Sequence, residues 1–161
     1  MSATRVEVSL SEQTLTLWRS QQPLRRFAVS TAANGADERE GSGGTPRGQH
    51  RIRAAIGSGL PAGTVFVGRR ATGECYSPEL AAAYPRRDWI LTRILWLCGC
   101  EPGRNRLGSV DTQRRYIYIH GTPDSEPMGV PRSHGCIRMR NDDIIWLFEQ
   151  VACGTPVLIK E

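Results

Sequence analysis

The 161-residue chain is 39% hydrophobic and 23% charged, ordinary for one globular domain, and no apolar run approaches the roughly 18 residues of a membrane-spanning helix. Five cysteines, an odd number, fit a reducing compartment better than a disulfide scaffold. The net charge of +5 is carried by arginine, with Lys160 the one lysine; the arginines are dispersed and no nucleic-acid-binding motif accompanies them, which argues against a nucleic-acid partner.

In chain order, residues 4–18 alternate apolar and polar around Ser11-Glu12-Gln13-Thr14 and predict a strand, a turn and a second strand. Gln21-Gln22-Pro23 predicts a turn and Leu24–Thr31 a third strand. Residues 33–48, with Asn34-Gly35, Gly41-Ser42-Gly43-Gly44 and Thr45-Pro46-Arg47-Gly48, predict a flexible loop. Strands are expected at Gln49–Ile56 and Thr64–Arg70, and a short helix at Leu80–Tyr84. Trp89, Ile90, Ile94, Leu95 and Leu97 recur at helical spacing, so Asp88–Cys98 predicts a helix with Asp88 near its N-cap and with Trp89 and Trp96 on one core-facing side. Residues 101–108 predict a loop, and Arg115–His120 a buried strand. Asn141–Val151 predicts a second helix, with Asn141 as N-cap, Asp142 and Asp143 suiting the helix dipole, and Cys153-Gly154 closing it before a last strand at Thr155–Ile159. The expectation is one domain, residues 1–161, mainly β or α+β with two or so helices. Cys75, Cys98, Cys100 and Cys153 read as small buried apolar residues, and His50 as surface or strand filler.

The stretch from Tyr116 to Asp142 carries the chemistry. His120 ends the apolar run Tyr116-Ile117-Tyr118-Ile119, and Cys136 follows after a Pro- and Gly-rich loop. A free thiol titrates near pH 8.5, so a cysteine nucleophile needs surroundings that lower that value and a base beside it. His120 and Cys136 supply such a pair if the loop folds back, which points to acyl transfer through a thioester. His134 and Arg138 are each two residues from Cys136 and share its side of an extended chain, so His134 reaches substrate or thiolate and Arg138 offers a clamp for a carboxylate. The N–H groups of Gly135 and Cys136 are candidates for an oxyanion hole, and Ser133 for holding the turn by a hydrogen bond. A metal site of His120, His134 and Cys136 lacks a fourth ligand, so no metal and no cofactor is expected. A binding module without catalysis, or a redox protein using Cys136 with Cys153 as a distant resolving thiol, would need neither histidine.

His120-Gly121 and Ser133-His134-Gly135-Cys136-Ile137-Arg138 resemble the signature of the L,D-transpeptidase (YkuD-type) catalytic domain. The resemblance extends to an opening hairpin at residues 6–31 and to Gly44-Thr45-Pro46-Arg47-Gly48. It implies a YkuD-like β-sandwich or barrel-like core with the catalytic loop across one end. It also implies that the Gly121 carbonyl orients His120 in a triad without a side-chain carboxylate, that His134 binds substrate near the oxyanion, and that carbapenems acylate Cys136. The implied partners are peptidoglycan stem peptides, with no membrane or nucleic acid; the oligomeric state is left open. Residues 87–96, 105–108 and 115–124 look similar to the branch of the family that lacks an export signal. That likeness implies an L,D-carboxypeptidase removing terminal D-alanine from tetrapeptides in cell-wall recycling; the alternative is an L,D-transpeptidase forming 3→3 cross-links or exchanging D-amino acids. Met1 leads straight into a strand pattern without a signal peptide's apolar core, so the expected location is the cytoplasm, or the periplasm if the N-terminus has been trimmed.

Overall fold

The structure, a computed structural model, describes residues 3–161. Its strands are β1 (Thr4–Ser9), β2 (Thr14–Arg19), β3 (Gln22–Ala28), β4 (Gly48–Ile56), β5 (Thr64–Val67), β6 (Arg70–Cys75), β7 (Ile90–Gly99), β8 (Tyr118–Gly121), β9 (Ile137–Met139) and β10 (Pro156–Lys160). Helix α1 (Pro78–Ala83) lies between β6 and β7, and α2 (Asn141–Gln150) between β9 and β10. The strands join one mixed sheet in the order β3-β2-β1-β10-β4-β7-β5-β6, with β8 against β7 and β9 against β8. Only β1–β10 and β8–β9 are parallel pairs; the others are antiparallel. The mainly-β architecture with two helices agrees with the sequence pattern. No helix of the described residues is long and apolar enough to cross a membrane.

The principal correction is β7. A helix was expected over Asp88–Cys98; Ile90–Gly99 is instead a strand paired with β4, β5 and β8. One face feeds the main core, where Leu95 and Leu97 meet Ile119, Ile137, Ile144 and Leu147. The other face feeds a second cluster, where Ile94 and Trp96 meet Phe66 and Tyr118. A strand buried on both faces reads as a continuous apolar run, which imitates helical spacing over a short window. Trp89 and Trp96 do not share a packing site: Trp89 meets Tyr76 edge-on at 5.2 Å, whereas Trp96 meets Tyr118 edge-on at 6.1 Å. Burying a leucine or isoleucine of this core contributes about 1.5–3 kcal/mol each.

β7 is not regular. Its register against β8 slips between Leu91 and Ile94, and Thr92, fully buried, has φ 75°. A β-branched residue in that region costs about 1–3 kcal/mol, which the surrounding packing must offset. Other departures are local. Pro23 lies inside β3, an edge strand, where a missing N–H is tolerated. β8 starts at Tyr118 rather than Arg115, because a turn occupies the preceding residues: Asp111 accepts from the Arg114 N–H at 2.9 Å and Tyr116 has φ 57°. Arg140, not Asn141, occupies the cap position of α2. His50 is buried, with its ring nitrogens 3.0 Å from the Gly48 carbonyl and 2.9 Å from the Thr112 hydroxyl. Cys75 and Cys153 are exposed and Cys98 and Cys100 half-buried, so none of the four is the fully buried filler expected.

Candidate active site

β8 is buried along its length and carries His120 and Gly121 at its end. β9 pairs with it in parallel, Ile119 beside Ile137 and His120 beside Arg138. This register returns the chain after the loop at residues 122–136 so that Cys136 arrives next to Tyr118. The Cys136 sulfur accepts from the Tyr118 N–H at 3.3 Å and donates to the Tyr116 carbonyl at 3.3 Å.

The turn before the thiol is held from within. The Ser133 hydroxyl donates to the Cys136 carbonyl at 2.6 Å and accepts from the Gly135 N–H at 3.2 Å, a turn-holding arrangement. That bond occupies the Gly135 N–H, so of the two expected oxyanion donors it is the Cys136 N–H that has no protein acceptor among the described residues. Gly135 has φ 134°, and a Cβ there would sit 3.1 Å from both the Gly44 carbonyl and the Ile117 side chain. Only glycine suits that conformation and that closeness. Thr45 braces the turn from outside: its hydroxyl donates to the Gly135 carbonyl at 2.8 Å and accepts from the Ala32 N–H at 3.0 Å.

His120 is buried, and its Nδ1 lies 2.6 Å from the Gly121 carbonyl. A carbonyl only accepts, so Nδ1 carries the proton and Nε2 keeps its lone pair free. Burial pulls the imidazole below its ordinary value, with the Gly121 contact opposing. The thiol departs from expectation. Its surroundings do not lower its pKa; burial pushes it up to about 12, with the Tyr118 N–H pulling down, the Asp88 carboxylate pushing up, and Arg138 and Arg115 pulling down. Burial thus disfavours the charged form of both groups, the thiolate and the imidazolium.

A cavity of about 190 Å³ brings together Asp88, Tyr116, His120, His134, Cys136 and Arg138. His134 is exposed, with Nδ1 3.8 Å from the Asp88 carboxylate. Arg138 is largely buried and faces two carboxylates of this chain, Asp88 at 3.4 Å and Glu126 at 3.9 Å. As a clamp for a substrate carboxylate it would have to exchange these partners, so it does not stand free as the sequence suggested. A neighbouring cavity of about 220 Å³ shares Asp88, His134 and Arg138 and is also lined by Trp89, Thr122 and Glu126. Sequence reasoning missed Asp88, which the helix reading had assigned to capping. It also missed Arg115, whose guanidinium donates to the Asp37 carbonyl at 3.0 Å and the Gly44 carbonyl at 2.6 Å. Placing Arg87-Asp88-Trp89 ahead of a central strand beside the histidine strand would have pointed to Asp88.

A family model described as the L,D-transpeptidase catalytic domain (YkuD) matches residues 3–159. The chain is 46% identical over 50 residues to YqjB of Bacillus subtilis (strain 168), whose name marks it as a candidate L,D-transpeptidase; the match covers 31% of this chain and 28% of that protein. Its fold is similar to L,D-transpeptidase 3 from Mycobacterium tuberculosis in complex with a faropenem-derived adduct, with TM-score 0.60, 18% identity, and coverage of 99% of this chain and 61% of that one. It is also similar to the L,D-transpeptidase from Xylanimonas cellulosilytica, with TM-score 0.57, 21% identity, and coverage of 98% and 60%. The chain thus spans less than two thirds of the length of these relatives. With a family match running almost end to end and His120 and Cys136 lining one cavity where β8 and β9 meet, the chain belongs to the L,D-transpeptidase catalytic domain family.

Proposed function

We propose that this chain catalyses cysteine-dependent acyl transfer on peptidoglycan stem peptides. The observation that carries the reading is the joint placement of a half-buried Cys136 thiol and a His120 whose Nδ1 lies against the Gly121 carbonyl, both lining one cavity. Nε2 of His120 takes the thiol proton as the sulfur attacks the carbonyl of the third stem residue, a diaminopimelate in the family's substrates. The free Cys136 N–H meets the developing oxyanion. D-Alanine leaves as the amine, protonated by the imidazolium, and a thioester remains. Gly121 orients the base through its carbonyl, Ser133 and Gly135 shape the turn, and His134 and Arg138 line the approach.

In our reading water resolves the thioester, making the protein an L,D-carboxypeptidase of wall recycling. Support comes from the likeness of residues 87–96, 105–108 and 115–124 to that branch. Exposed Cys75 and Cys153 thiols support a reducing compartment, the cytoplasm. A second reading, L,D-transpeptidation, is favoured by the Asp88 and Glu126 carboxylates beside Arg138, which attract an ammonium acceptor, and by the names of the relatives. Mass spectrometry of a diaminopimelate tetrapeptide incubated with enzyme, with and without excess acceptor, separates them. Tripeptide plus D-alanine establishes hydrolysis; a cross-linked dimer or exchanged D-amino acid as main product overturns it.

A further inference from the structure

The strained bulge of β7 lies against the residue that orients the base. Leu91 pairs with Gly121 and Ile94 with His120, so Thr92 and Arg93 are the bulged residues directly beside the end of β8. Thr92, at φ 75°, turns its hydroxyl away from the sheet ladder: Oγ1 accepts from the Gly63 N–H at 3.0 Å and donates to the Asn141 side-chain carbonyl. Asn141 in turn donates through Nδ2 to the Asp124 carboxylate at 3.3 Å, tying the start of α2 to the loop that leaves β8. These groups close on the α-carbon of Gly121. A Cβ there would lie 2.5 Å from Asn141 Oδ1, 2.6 Å from the Leu91 carbonyl and 3.0 Å from the Thr92 Cβ. The Gly121 peptide is thus pressed by the bulge on one side and by α2 on the other, and its carbonyl oxygen is the one that lies 2.6 Å from His120 Nδ1.

The geometry points to Thr92 and Asn141 as positioning residues that set the Gly121 carbonyl and, through it, the tautomer of His120. This explains why a β-branched residue is kept in a costly conformation. Strain retained by packing is a mark of a functional site. Neither residue touches the thiol. Their effect on chemistry passes entirely through the direction of one hydrogen bond, and it rests on the reading of His120 as the base of Cys136.

The test reads the tautomer without any substrate. In protein carrying ¹⁵N-labelled histidine, long-range ¹H–¹⁵N correlations distinguish Nδ1–H from Nε2–H, with His120 assigned by loss of its signals in His120→Gln. His50, anchored elsewhere on Gly48 and Thr112, is the internal control. The expected result is a single Nδ1–H tautomer for His120 in the native chain and in Thr92→Ser, which keeps the hydroxyl. Thr92→Val and Asn141→Leu should give mixed tautomers while His50 is unchanged. Acylation of Cys136 by a carbapenem, followed as intact mass, should slow roughly five- to tenfold at saturation, with little change in half-saturating concentration, consistent with one lost hydrogen bond. Should Thr92→Val not fold, Asn141→Leu, at the half-buried first turn of α2, carries the test. Folded variants with an unchanged His120 tautomer would overturn the proposal. A tautomer shift in a protein whose Cys136 acylates nothing would uphold the positioning role and defeat the proposed chemistry instead.

Discussion

The floor and the mouth of the Cys136 cavity are built differently. On the floor, each reactive group is fixed by a backbone partner: His120 by the Gly121 carbonyl at 2.6 Å, and the thiol by Tyr118 and Tyr116 at 3.3 Å each. At the mouth, charged side chains face one another more loosely, Arg138 and His134 lying 3.4–3.9 Å from Asp88 and Glu126. Backbone-held groups cost little ordering when the reaction occurs, whereas the Asp88 and Glu126 carboxylates are solvent-exposed and pair with the largely buried Arg138 at long range, so solvent weakens their hold. The floor is therefore suited to bond chemistry, and the mouth to exchanging its internal ion pairs for those of a ligand.

Substitutions on the floor should have the largest effects. Cys136→Ala should abolish turnover, a loss of roughly 10³-fold or more, read as tripeptide formation from tetrapeptide. Gly135→Ala should come next. A Cβ at φ 134° and 3.1 Å from two neighbours displaces the turn, so activity should fall by roughly 10²-fold and thermal unfolding should show about 1–3 kcal/mol of lost stability.

At the mouth the effect should be smaller and of opposite sign for reactivity and turnover. Asp88 pushes the Cys136 thiol upward, so Asp88→Asn should lower its pKa and speed its alkylation by iodoacetamide a few-fold at pH 8 to 9. The same variant should slow turnover if the mouth receives a cationic group. In the native chain, exposed Cys75 and Cys153 should alkylate faster than Cys136 at that pH, as peptide mapping would show.

The smallest effect on activity is expected away from the cavity, where the consequence is for stability. Burial pulls His50 down to about 4, while the unfolded imidazole titrates near 6.5. Between those values the unfolded chain binds the extra proton first, so stability is intact above about pH 6.5 and falls as pH drops toward 4, by roughly 3 kcal/mol in all. Denaturant midpoints across that range would show the decline, and His50→Gln should flatten it.

The floor was legible because its parts are contiguous: His120-Gly121 and Ser133–Cys136 stand whole in the sequence, and β8–β9 pairing brings them to one end of the sheet. The mouth was legible only in part: His134 and Arg138 stand in the motif, but Asp88 and Glu126 reach Arg138 only through long-range folding and no local spacing marks them. β7 misled for a physical reason: a strand buried on both faces loses the alternation by which strands are recognised. The thiol's environment misled likewise, since a motif names its neighbours but not the burial that raises its pKa. The role of Asn141 was masked by its position, where an N-cap was the economical expectation and a bond to Thr92 is the fact.

The most direct test of the central claim is intact-protein mass spectrometry after rapid quenching of enzyme with a diaminopimelate-containing tetrapeptide. The account predicts a transient mass increase equal to the tripeptide acyl group, located at Cys136, accompanied by free D-alanine and absent in Cys136→Ala. Turnover without any adduct at Cys136, or turnover retained by Cys136→Ala, would contradict it.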